Sequence, residues 1–141
     1  MNLLIQYALQ FVGVQYKWGG AHPADGLDCS GLVQIILRSA GIDPTGDQTA
    51  QALYDAFEKN GSYGVCAAGS LAFFGKDVTH ITHVGFCLDP YRMIEAAGGG
   101  SKTVDLKSAI DSEAFVKVSL IKSRQDLVAV IKPHYNKIGL I

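Results

Sequence analysis

The chain has 141 residues, of which 48% are apolar and 18% charged, with a formal net charge of −1. These values describe a well-packed globule that buries roughly 68% of its unfolded surface without a metal or disulfide staple, and they exclude disordered and fibrous classes. Near-neutral charge, with Lys and Arg scattered singly, also excludes a dedicated nucleic-acid surface.

The N-terminus, Met1 to Tyr7, has no cationic stretch and no small-residue cleavage site. It reads as an amphipathic helix over 2–12 running into Gly13, not as a signal peptide. No apolar run approaches the ~18 residues needed to cross a bilayer. Asp28 is a good N-cap for a second helix over 29–40, whose body is Leu32-Val33-Gln34-Ile35-Ile36-Leu37 and whose stop is Gly41 followed by Pro44. Ala50, Leu53, Tyr54 and Phe57 recur at helical spacing, and Asn60-Gly61 closes that third helix. The rhythm then changes: 70–74, 81–88, 92–96, 115–122 and 127–132 are short, β-branched or aromatic, and separated by Gly, Asp, Pro or Ser. Gly98-Gly99-Gly100-Ser101 reads as a loop leaving a strand. Helices first and strands second predict an α+β fold, N-terminal helices packed on one face of a central antiparallel sheet. Without linker or repeat, 1–141 is expected to be one domain. Residues 133–141 form a tail with no place in the pattern, and Leu140 and Ile141 are expected to fray.

The chemistry centres on Cys29, which Asp28-Cys29-Ser30-Gly31 puts on the first turn of a helix. There the macrodipole favours thiolate, so a pKa lower than the ~8.5 of a free thiol is expected. Three cysteines without a CxxC pair provide neither a disulfide framework nor a zinc ribbon, and Cys66 and Cys87 read as small buried hydrophobes. Of four histidines, His22 lies in a Pro/Gly loop and His134 in the tail. His80 and His83, three apart on a strand, point to opposite faces, so no shared metal is expected. Alternation in 81–88 groups His83 with Gly85 and Cys87, the glycine leaving room for an approaching group. A hairpin through Asp89-Pro90 pairs this strand with Met93-Ile94-Glu95-Ala96, and any register whose partner numbers sum to an even value puts His83 and Glu95 on one face. Glu95 then orients the ring, leaving the other nitrogen for the thiol. Trp18 is expected to pack in the core. Gly98 to Gly100 lack the partners of a dinucleotide site and Ser30 is outside a G-x-S-x-G elbow, so neither a nucleotide cofactor nor a serine hydrolase is indicated.

Together these residues resemble the NlpC-type cell-wall cysteine peptidases, which are papain-like in architecture. The matching pieces are Tyr16-Lys17-Trp18-Gly19-Gly20, Gly26-Leu27-Asp28-Cys29-Ser30-Gly31-Leu32-Val33, Gly69-Ser70-Leu71-Ala72-Phe73-Phe74, His83-Val84-Gly85 and Met93-Ile94-Glu95-Ala96, in the family's order over about residues 4–131. The resemblance implies Cys29 as nucleophile, His83 as base and Tyr16 as a hydroxyl near the oxyanion, with Asp28 and Ser30 lining the substrate cleft. It implies cofactor-free hydrolysis of bacterial peptidoglycan stem peptides, commonly between D-glutamate and the following diamino acid. The family's third catalytic position is most often histidine, whereas Glu95 stands here. A carboxylate there raises the His83 pKa and favours a thiolate–imidazolium pair. A wall enzyme made in the cytoplasm without a signal peptide is expected to reach its substrate as a phage lysis or tail protein or as an effector, with a monomer as the default state. The rival reading is a non-catalytic wall-binding or phage-tail module of the same fold, against which the set Cys29, His83 and Glu95 counts.

Overall fold

The computed structural model describes residues 1–135, and the expected fraying of Leu140 and Ile141 lies outside them. Helix α1 spans Asn2–Leu9, shorter than its pattern. From Gln10 to Val12 the amides bond three residues back, so the helix tightens into turns ahead of Gly13. A two-stranded ribbon follows, β1 (Ala21–His22) paired with β2 (Gly26–Leu27). Helices α2 (Cys29–Ser39) and α3 (Ala50–Asn60) sit where periodicity puts them, each started by a side-chain cap: Asp28 accepts from the Gly31 amide and Thr49 from that of Ala52.

The remaining chain builds the sheet: β3 (Gly61–Tyr63), β4 (Leu71–Gly75), β5 (Ile81–Cys87), β6 (Arg92–Ala97), β7 (Phe115–Leu120) and β8 (Leu127–Pro133). These six strands lie in the order β3-β8-β4-β5-β6-β7, every pair antiparallel. A further helix, α4 (Leu106–Asp111), is held by an Asp105–Ser108 capping box. Among the described residues no helix is long and apolar enough to cross a membrane.

Both faces of the sheet are apolar. Leu32, Ile36, Leu53 and Phe57 of the helices pack with Phe73, Phe86, Ile94 and Ile131 in the main core. The other face carries a smaller cluster of Ala72, Phe74, Cys87, Met93 and Ile121, with Cys66 against it. The C-terminal segment is better placed than its sequence indicates. Pro133 pairs with Gly61, His134 meets the Ser62 hydroxyl, and the buried Tyr135 donates to the Gly69 carbonyl at 2.6 Å. A large side chain with one satisfied polar tip anchors this segment, a signal that periodicity does not carry.

Candidate active site

Cys29 is the first residue of α2, and the Asp28 cap shapes its surroundings. The Asp28 Oδ1 atom accepts from the Gly31 amide at 2.7 Å and from the Ser30 hydroxyl at 3.2 Å. Amides of Val84, Ser30 and Cys29 itself donate toward the sulfur, so α2 and β5 meet at this atom. The thiol pKa nevertheless moves opposite to the sequence expectation. Burial, followed by the Asp28 charge, pushes it up to about 11, outweighing the amide donors that favour thiolate. The helix-terminal amides do favour thiolate, but the half-buried sulfur beside a carboxylate loses more from missing water than they return.

Tyr16, Asp28, Cys29 and Ser30 line one cleft of about 280 Å³. Tyr16 is held by a hydrogen bond from its backbone amide to the Ala114 carbonyl and by the loop after β6: Gly99 lies so close that a Cβ there would stand 2.1 Å from the ring. Burial, then the charges of Cys29 and Asp28, push the Tyr16 hydroxyl pKa well up, which keeps it a proton donor. Trp18 is 55% exposed and lines the same cleft, against the expectation that it packs in the core. Its amide ties it to the Thr103 carbonyl, leaving the indole at the rim.

His83 and Glu95 are both buried, and Nε2–H of the imidazole donates to Oε1 of the carboxylate at 2.7 Å. The register pairs Phe86 with Ile94 and Cys87 with Met93, an even-sum register as expected, so Glu95 reaches His83 along the diagonal of one face. Burial alone would raise the Glu95 pKa. Hydrogen bonds from His83 and Ser119, with the positive charges of His83 and Arg124, reverse that and hold the carboxyl below its ordinary value. With Nε2 committed to Glu95, Nδ1 is the ring nitrogen left for a second partner. The room expected beside Gly85 is filled by Met93, whose Sδ lies 2.6 Å from where a Cβ would stand. The glycine accommodates a core side chain, not an incoming group. Ile81 and Thr82, directly before His83, do line the cleft.

Elsewhere, His80 is an exposed partner of Asp77 and His22 bonds the Ala24 amide. Cys87 is fully buried, and Cys66 is partly buried beside it. The sequence reading missed the far wall of the cleft, Asp47, Gln48, Thr49 and Ala50. Buried Gln34 positions that wall, donating to Asp43 and to the Gly46 carbonyl while accepting from the Gln48 amide. A lone polar residue inside the apolar run 32–37 was the available signal.

Residues 13–120 match the NlpC/P60 family. The chain belongs to that family. It is 39% identical over 121 residues to the bifunctional muramidase/DL-endopeptidase CwlT of Bacillus subtilis (strain 168), covering 84% of this chain and 36% of that protein. Gamma-DL-glutamyl hydrolase of the same organism is 30% identical over 106 residues, covering 74% of this chain and 25% of the relative. The chain thus spans between a quarter and about a third of the length of these curated relatives. A solved structure described as similar to lipoprotein, NLP/P60 family, from Staphylococcus aureus subsp. aureus Mu50 is 27% identical, with a TM-score of 0.68 over 94% of this chain and 40% of that one. The NlpC/p60 domain of peptidoglycan hydrolase SagA, 24% identical with a TM-score of 0.66 over 92% of this chain and 95% of that one, shares the fold.

Proposed function

We propose that this chain is a single catalytic domain, a cysteine endopeptidase that hydrolyses peptide bonds in the stem peptides of bacterial peptidoglycan, at the bond between D-glutamate and the following diamino acid. The DL-endopeptidase and gamma-DL-glutamyl hydrolase relatives support the reaction class. The observation that carries the reading is the buried His83–Glu95 hydrogen bond beside a strand that reaches a helix-terminal thiol.

Because burial keeps the resting thiol protonated, the base removes its proton as attack begins. The Cys29 sulfur forms a bond to the peptide carbonyl carbon while its proton passes to Nδ1 of His83. Glu95, accepting from Nε2–H, stabilises the imidazolium. The oxyanion is met by the Cys29 backbone amide and the Tyr16 hydroxyl, both preorganised donors. Collapse breaks the C–N bond, His83 returns its proton to the leaving amine, and water releases the acyl group. Asp28 holds the first turn of the helix and, with Ser30, lines the substrate's path.

Cys29→Ala is expected to abolish release of soluble fragments from purified peptidoglycan. Mass spectrometry of fragments from defined muropeptides reads which bond is cut. Turnover retained in the alanine variant overturns the nucleophile assignment. No turnover by the unaltered chain on any muropeptide favours the rival, a wall-binding module that keeps the fold.

A further inference from the structure

Glu95 is only 4% exposed, and a carboxylate removed from water costs several kcal/mol unless positive or donating groups replace the solvent. His83 and Ser119 supply the hydrogen bonds. The charge of His83 adds to these, and that of Arg124 adds further; Arg124 lies just before β8 and has no part in the reaction described above. Its guanidinium makes a two-pronged ion pair with Asp126, Nε to Oδ1 at 3.0 Å and a terminal nitrogen to Oδ2 at 2.9 Å. It also covers the ring of Phe74, 5.0 Å from the centroid. That ring in turn packs on the His83 imidazole, with centroids 5.6 Å apart, and Phe74 is His83's direct partner in the ladder.

Phe74 thus contacts both the His83 imidazole and the Arg124 guanidinium, and Asp126 holds the guanidinium. The charges around it are mixed: Asp126 negative, Arg124 positive, Glu95 negative, and His83 positive once it holds the thiol's proton. We propose that Arg124, clamped by Asp126, is a positioning residue for the His83–Glu95 pair. Its guanidinium lies over Phe74 and so backs the ring that packs against the imidazole whose orientation the reaction needs, and its charge favours the buried carboxylate. Asp126 prevents the extra cation from opposing the imidazolium. The other polar neighbours of the pair are accounted for. Ser119 donates to Glu95, Lys117 opposite Glu95 in the ladder sends its ammonium to the Glu113 carbonyl, and Cys87 next along the face carries a neutral thiol.

The inference rests on His83 being the base, and its test separates the two ideas. Imidazole titration by NMR in the full chain, in a Cys29→Ala background, reads His83 without requiring turnover. Arg124→Gln leaves Asp126 unopposed and is expected to raise the His83 proton affinity about three- to tenfold. Asp126→Asn, at the exposed end, leaves Arg124 unopposed and is expected to lower it by a similar factor. Arg124→Lys, which keeps the charge, is expected to restore most of the original midpoint. With Cys29 intact, the acid limb of kcat/KM on purified peptidoglycan, which reports protonation of the base, moves in the same directions. A purely structural role lowers activity with no opposed movement. Midpoints that stay put, or move the same way in the Gln and Asn variants, overturn the proposal. Should Arg124→Gln fail to fold, Asp126→Asn decides alone. Hydrolysis retained in Cys29→Ala would instead remove the parent reading while the titrations still report on Arg124.

Discussion

The site contains two covered carboxylates, and burial acts on both in the same direction with opposite outcomes. Asp28, at the head of α2, has its pKa raised by burial, with the Asp47 charge adding to it and only the Gly31 amide, the Ser30 hydroxyl and a backbone donor pulling against it. Glu95, on the far side of β5, ends up lowered because His83, Ser119 and Arg124 more than replace the lost water. What decides the protonation state of a buried acid is thus the supply of donors and cations, not depth. The Cys29 end of the site is electrostatically unfavourable to charge and the His83 end is favourable to it. In the proposed reaction, a proton moving from Cys29 to His83 runs down that gradient only when substrate supplies the acceptor carbonyl.

The largest break in the comparison is expected at Glu95. Glu95→Ala strands the imidazolium and is expected to cost about 100-fold in kcat/KM, while Glu95→Gln, which keeps an acceptor for Nε2–H, is expected to cost about tenfold. The same variants separate the two acids through stability. A depressed native pKa gives stability that is present above the unfolded value near ~4.3 and lost as pH falls through the native one. Asp28, raised, has the opposite sign: its contribution is present below ~3.9 and lost as pH rises through the native value. Denaturant melts between about pH 3 and 6 should therefore show Glu95→Gln losing stability relative to the parent as pH rises, and Asp28→Asn gaining it. Parallel slopes would erase the distinction between the two ends.

A smaller effect is expected at the cleft wall. Gln34 satisfies three polar groups of the 43–48 loop from a site 2% exposed. Gln34→Ala removes this partner from the Gly46 carbonyl and the Gln48 amide, while Asp43 keeps Arg38, a loss of roughly 1–3 kcal/mol in stability. Because Asp47 and Gln48 line the cleft, KM is expected to rise by about threefold or more with kcat less changed. Equal loss in both parameters would mean that the loop acts on the chemistry itself.

Residues differ in how much of this their neighbours in sequence announce. Leu53, Tyr54 and Phe57 carry a full helical stripe, and Val84 and Phe86 a full strand alternation, so α3 and β5 are legible locally. The even register that joins His83 to Glu95 follows from a short hairpin, again a local constraint. By contrast α4 buries only Ala109 and leaves Leu106 and Ile110 more than half exposed, so it has no stripe to read. Strand β3, Gly61-Ser62-Tyr63, exists because β8 offers it an edge. Trp18 at the rim, Met93 over Gly85 and Arg124 behind Phe74 are encounters between segments far apart in the chain, and no periodicity encodes them. The same holds for the Cys29 pKa: the helix dipole is visible in sequence, but the burial that overrides it is tertiary.

That override yields the finest prediction. Asp28 does two things to Cys29: its side chain caps the helix, and its charge raises the thiol pKa. Asn caps as well as Asp, so Asp28→Asn removes the charge while keeping the first turn. The iodoacetamide alkylation rate of Cys29, followed against pH in the free protein, is expected to rise toward a midpoint of about 11 in the parent and toward a lower one in the variant. The variant's midpoint should still lie above that of a free thiol, because burial, the larger cause, is untouched. A midpoint near or below neutral in the parent would mean that His83 already holds the thiol's proton at rest. The gradient between the two ends of the site would then be crossed before substrate arrives.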